Sequence, residues 1–108
     1  MAAAWAKAAD LAAFAGRDAL AVTVAGRKLG LFSVGEEFFA IDNLCTHGHA
    51  VLTEGFLEGG VIECPLHAGL FDVRTGCALA AHAVRDVASY PVRIDGDSIM
   101  VQVPEGAD

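Results

Sequence analysis

Two short segments constrain this chain more than anything else in it: Cys45-Thr46-His47 and Cys64-Pro65-Leu66-His67. Sixteen residues separate them. Each segment pairs one soft thiolate donor with one imidazole donor. A fold that uses all four must bring two loops, distant in sequence, to a single point. A site that gathers two sulfurs and two nitrogens suits a small inorganic centre.

The order of donors within each half bears on which centre that is. Common structural zinc sites keep like ligands together, Cys with Cys in one half and His with His in the other. Here both halves are mixed, Cys-x-His and Cys-x2-His. Mixed halves suit a dinuclear cluster, because each loop can send its cysteine to one iron and its histidine to the other. The residues therefore point to a [2Fe–2S] cluster with Cys45 and Cys64 on one iron and His47 and His67 on the second. Zinc and coincidence are the competing readings. Any one of the four residues alone would be structural or incidental; the combination, flanked by Gly48, Pro65 and Gly69, is specific.

The remaining sequence predicts an all-β domain. Leu20-Ala21-Val22-Thr23-Val24, residues 28–34 and residues 38–42 read as three strands. They are separated by turns at Ala25-Gly26-Arg27 and Gly35-Glu36-Glu37. Short strands joined by tight turns argue for an antiparallel meander. Residues 43–52 form the first ligand loop. A hairpin turning at Gly59-Gly60 then leads into Val61-Ile62-Glu63-Cys64, and residues 69–73 leave the second loop as a strand. Residues 84–94 read as one long or two short strands, Asp95-Gly96-Asp97 as a turn, and residues 98–103 as a closing strand ended by Pro104. The alanine-rich start holds a short turn at residues 10–14 and a strand anchored by Trp5. The chain is expected to be one domain, residues 1–108, with a cluster-binding subdomain at about 43–72.

Composition excludes several classes of function. Lys and Arg number 7 against 14 Asp and Glu, a formal charge of −7, which disfavours nucleic acid and anionic membrane as partners. Between Lys28 and Arg74 there is no basic residue, while Glu36, Glu37, Asp42, Glu54, Glu58, Glu63 and Asp72 all fall in the gap. A scatter of acids is first of all a solvated surface. Around a redox centre it also suggests a docking face for a basic partner. No stretch approaches the ~18 apolar residues of a membrane helix, and the N-terminus lacks the pattern of a signal peptide. Three widely spaced cysteines fit metal-bound thiolates in a reducing cytoplasm better than a disulfide scaffold.

The run Cys45-Thr46-His47-Gly48 to Cys64-Pro65-Leu66-His67-Ala68-Gly69-Leu70-Phe71-Asp72 resembles the soluble Rieske-type [2Fe–2S] ferredoxins of bacterial aromatic-ring-hydroxylating dioxygenase systems. The resemblance extends to residues 38–42 before the motif and Thr75-Gly76 after it. It implies stacked antiparallel β-sheets with the cluster at one tip and Cys45, His47, Cys64 and His67 as ligands. It also implies a cytoplasmic, monomeric carrier that takes one electron from a flavoprotein ferredoxin reductase and delivers it to a terminal oxygenase in aromatic hydrocarbon catabolism.

Two departures from the wider family carry information. Rieske proteins of respiratory and photosynthetic complexes have a disulfide beside the cluster, where this chain has His49 and Leu66. They also place a serine and a tyrosine against the cluster sulfurs, where this chain has Ala68-Gly69-Leu70 and Phe71. Fewer hydrogen bonds to sulfur leave the reduced cluster less stabilised, so the expected potential lies low in the Rieske range, on the order of −150 mV. His47 and His67 are expected to face the partner, with a midpoint that falls as their second nitrogens ionise. Gly48 and Gly69 are expected to let backbone N–H groups approach the cluster, and Cys77 to be a small buried residue or an idle thiol. Catalysis by this chain alone is not expected. The oxygenase reaction needs a separate iron held by two histidines and a carboxylate, and only His49 and His82 remain.

Overall fold

The computed structural model describes residues 3–44, 51–65, 69–79 and 86–104. Among the described residues there are ten strands: β1 (Ala3–Asp10), β2 (Ala19–Val24), β3 (Arg27–Val34), β4 (Glu37–Asp42), β5 (Phe56–Glu58), β6 (Val61–Glu63), β7 (Leu70–Asp72), β8 (Ser89–Tyr90), β9 (Val92–Asp95) and β10 (Ser98–Pro104). Short 3-10 turns occupy Leu11–Phe14 and Leu52–Glu54. All pairings between strands are antiparallel, in three sheets ordered β1-β10-β9, β2-β3-β4-β8 and β5-β6-β7.

The meander expected from residues 20–42 is the centre of the molecule. Its middle strand, β3, has four consecutive buried residues, Leu29, Gly30, Leu31 and Phe32. An antiparallel strand with one wet face alternates; a strand covered on both faces does not. Side chains of opposite parity accordingly enter different cores. Leu29, Leu31 and Ala40 pack with Ile99, Val101 and Val103 of β10. Phe32 and Ile41 pack with Ile62 of β6 and Phe71 of β7. The central sheet is thus sandwiched, with β1-β10-β9 on one side and β5-β6-β7 on the other.

The outer elements match the sequence reading closely. The segment expected as one or two strands is two, β8 and β9, which belong to different sheets. Trp5 lies on β1, half-buried, with the Arg93 guanidinium 4.4 Å above its ring. β1 closes against β10 from the opposite end of the chain, pairing Trp5 with Gln102. Among the described residues no helix is long and apolar enough to cross a membrane.

Candidate metal centre

The first ligand loop springs from the end of β4. Asn43 follows that strand and is 5% exposed. Its main-chain N–H donates to the Lys28 carbonyl (3.1 Å), and its carbonyl accepts from the Leu52 N–H (2.7 Å). Its side chain reaches across the loop: Oδ1 accepts from the Thr53 N–H at 2.9 Å, and Nδ2 donates to Thr53 Oγ1 at 3.0 Å. Leu44 and Val51 form an antiparallel bridge. Leu44 and Val51, which flank residues 45–50, are therefore held about 5 Å apart, the spacing of paired strands. Gly30 makes room for this clamp, since a Cβ there would meet Thr53 Cγ2 at 2.9 Å and Asn43 Oδ1 at 3.1 Å.

The second loop springs from β6. Cys64 directly follows Glu63 at the end of that strand and is 2% exposed. Its neighbours in the buried cluster include Phe32, Leu52, Phe71 and Val87. Its N–H donates to the Gly69 carbonyl at 2.8 Å, which ties together the two residues flanking 65–68. Gly69 thus acts as an acceptor at the loop's foot, a role its sequence context did not suggest; Gly48 lies outside the described residues.

What joins the two feet is Gly55, which follows the 3-10 turn leaving the first loop. A Cβ at Gly55 would sit 1.9 Å from the Glu63 carbonyl oxygen, one residue before Cys64. The backbone leaving one loop is therefore pressed against the strand that delivers the other. The hairpin β5–β6, in register Phe56↔Glu63 and Glu58↔Val61, holds that approach. The turn that follows the first segment thus lies against the strand end that precedes the second.

Of the four sequence-predicted ligands, the structure places Cys64. Cys45, His47 and His67 lie outside the described residues, as do His49 and His82. Among the described residues no three His, Cys, Asp or Glu side chains converge as a metal site. Cys64 forms no disulfide among the described residues. On its own, a buried thiol among apolar neighbours is an ordinary core residue. At the foot of a loop beside a second such foot, its position also suits a thiolate ligand. Two thiolates with two imidazoles is the donor set of a [2Fe–2S] centre in which histidine replaces cysteine on one iron. Cys77, expected buried or idle, is exposed and free.

Sequence reasoning missed Asn43 and Thr53. The only trace of Asn43 was its position, a strand-averse residue between a strand and Cys45. Thr53 left no signal. The gap in basic residues also proved incomplete as a description of the surface. Arg27 and Lys28 line a recess with Asp42 and Leu44, at the foot of the first loop. There Tyr90 donates from its hydroxyl to Asp42 at 2.6 Å, and Arg27 Nη1 donates to the Tyr90 oxygen at 3.4 Å. Burial first, then the bond to Asp42 and its charge, push the Tyr90 pKa from 10.0 up to about 12, against an opposing pull from Arg27.

Comparison with known proteins agrees with this geometry. Residues 4–91 match the family model of the Rieske [2Fe-2S] domain. The chain is 52% identical over 86 residues to the ferredoxin component of a naphthalene 1,2-dioxygenase system of Pseudomonas aeruginosa, covering 80% of this chain and 83% of that one. The ferredoxin of carbazole 1,9a-dioxygenase from Nocardioides aromaticivorans IC177 superposes with a TM-score of 0.85 at 37% identity, over 94% of this chain and 98% of that one. A chain in the complex of reduced oxygenase and oxidized ferredoxin of carbazole 1,9a-dioxygenase gives 0.84 at 30% identity, over 96% and 97%.

Proposed function

Because this chain belongs to the Rieske [2Fe–2S] domain family, we propose that Cys45, His47, Cys64 and His67 hold its cluster, the two cysteines on one iron and the two histidines on the other. It is an electron-carrying ferredoxin component of an aromatic-ring dioxygenase system, not the catalytic subunit. When bound, the cluster supplies reversible one-electron chemistry. The observation that carries the ligand assignment is the convergence of the two loop feet, with Gly55 against the Glu63 carbonyl and Cys64 next in the chain.

The chain's own residues give the site its character. Cys64, packed in the apolar core, would supply one thiolate to the cluster from a site shielded from water. Asn43 and Thr53 fix the foot of the loop that bears Cys45 and His47. Two neutral imidazoles in place of two thiolates remove two negative charges from the ligand set. Reduction is then easier than in an all-cysteine site. Phe71 is wholly buried and offers no hydroxyl to a cluster sulfur, in keeping with a midpoint on the order of −150 mV.

The electron donor in this reading is a flavoprotein ferredoxin reductase and the acceptor a terminal oxygenase. The carrier works as a monomer in the cytoplasm. Residues 1–108 form one domain with the cluster-binding insertion at about 43–72. The sheet β5-β6-β7, which falls inside that span and pairs only within itself among the named strands, supports the division.

Iron and acid-labile sulfide, measured on protein purified without oxygen, test the assignment. Two of each per chain are expected, with a reduced-state paramagnetic resonance spectrum of mixed Cys/His ligation. Cys45→Ser and Cys64→Ser should each abolish the red-brown colour. Absence of iron and sulfide from the unaltered protein would overturn the carrier reading.

A further inference from the structure

The outward face of the sheet β5-β6-β7 has no partner among the described residues. Inward, Leu57, Ile62 and Phe71 form one cross-strand row that packs into the core. Residues of the other parity face out. The register aligns Phe56, Glu63 and Leu70 in one row and Glu58, Val61 and Asp72 in the next. Each outward row therefore mixes apolar and acidic side chains, and neither contains a basic one. Phe56 is 69% exposed, the most exposed large apolar side chain among the described residues. Together with Glu58, Val61, Glu63 and Leu70 it lines an open groove.

Folding alone does not account for this face. An aromatic ring left in water contributes little to stability, and among the described residues only Asp72 of the three carboxylates has a folding role, accepting from the Arg74 N–H at 2.9 Å. Arg74 turns its guanidinium over the Phe39 ring at 5.3 Å, and it would meet a Cβ at Gly60. The Phe56–Glu63–Leu70 row is also the row nearest the cluster loops. Glu63 is bonded to Cys64, and Leu70 follows Gly69, whose carbonyl closes that loop.

We propose that this face docks the terminal oxygenase, through an oxygenase surface with an apolar recess for Phe56 and Arg or Lys side chains set around it to meet Glu58 and Glu63. The inference rests on the carrier reading above. A buried aromatic anchor within a polar charged rim is the usual anatomy of a productive contact. Charges of one sign speed encounter without holding the complex too long, which a shuttle requires. The patch is small, as suits transient electron-transfer partners, whose interfaces fall below about 1,200 Å². The oxygenase is chosen as occupant because a 30% identical chain of this fold occurs in a complex of reduced oxygenase and oxidized ferredoxin.

The test is a pair of rate measurements on cluster-loaded protein. Chemically reduced carrier is mixed with oxidised oxygenase of the naphthalene, anthranilate and dinitrotoluene systems, and the fastest acceptor is kept. Oxidised carrier is separately mixed with the reduced reductase of the same system. Phe56→Thr and the double variant Glu58→Gln, Glu63→Gln are compared with the unaltered chain, after iron content and midpoint are shown to be unchanged. Phe56→Thr should slow transfer to the oxygenase roughly tenfold at every salt concentration. The double variant should slow it roughly 3- to 10-fold at low ionic strength and flatten its salt dependence. Slowing of both half-reactions also supports the assignment, as a face shared in turn by both partners. Unchanged oxygenase rates, or slowing confined to the reductase, overturn it while leaving the carrier reading intact. Failure of the unaltered chain to reduce any oxygenase overturns both.

Discussion

The two loop feet solve the same problem by different means. The first, at Asn43 and Leu52–Glu54, is closed by side chains as well as backbone. One buried amide makes two hydrogen bonds to Thr53 while its main chain bonds Leu52 and Lys28. The second, at Cys64 and Gly69, is closed by one main-chain hydrogen bond. The contrast follows loop length. Closing the longer segment costs more chain entropy, and a side-chain clamp offsets it. The shorter segment needs only a tight turn. Stability of the first foot is therefore sensitive to point substitution, whereas the second has few side chains to lose.

That contrast can be broken at three levels. The largest effect is expected where the feet meet. Gly55 has φ −87°, open to any residue, so Gly55→Ala acts through sterics alone. With backbone atoms of Glu63 at 1.9 and 3.0 Å from the new Cβ, the strand carrying Cys64 must move. A loss of about 3 kcal/mol in chemical denaturation is expected, with fewer irons per chain. A smaller effect compares the feet directly. Asn43→Leu strands the Thr53 N–H and should cost about 2 kcal/mol, with faster iron release to a chelator. Pro65→Ala should cost less than about 1 kcal/mol. Equal losses at the two positions would show that the clamp is not what distinguishes the loops.

The smallest effect lies beside the first foot. Tyr90 has a folded-state pKa of about 12 against 10.0 unfolded. Its neutral form is favoured by the fold, so its contribution is complete below pH 10 and is lost as pH rises toward 12. Tyr90→Phe should flatten the stability profile across that interval and change stability near neutrality by about 1 kcal/mol. A variant profile that still falls with the same steepness between pH 10 and 12 would assign the transition to another group.

Much of the fold was visible in the sequence because its signals are local. Val22 and Val24, the short apolar runs at residues 28–34 and 38–42, and the Gly59-Gly60 and Asp95-Gly96 turns each specify a strand or a reversal from adjacent residues. Partners joined by tight turns were visible; partners distant in the chain were not. Nothing in Ala3–Asp10 announces that it pairs with Ser98–Pro104, or that Ser89–Tyr90 joins β4. Those choices are made by burial of Leu29, Leu31, Ile99 and Val101 in a common core, which is a property of the assembled sheets.

The site divides in the same way. The proposed donor set was legible in the sequence, because the affinity of thiolate and imidazole for iron belongs to the residues themselves. So was the absence of a hydroxyl at Phe71. Only the tertiary structure decided that Asn43 and Thr53 brace the first loop, that Gly55 and Glu63 bring the loops together, and that Phe56 stands in solvent between carboxylates. These depend on distances between residues far apart in the chain, and such distances are set when sheets pack, not by what any short segment prefers.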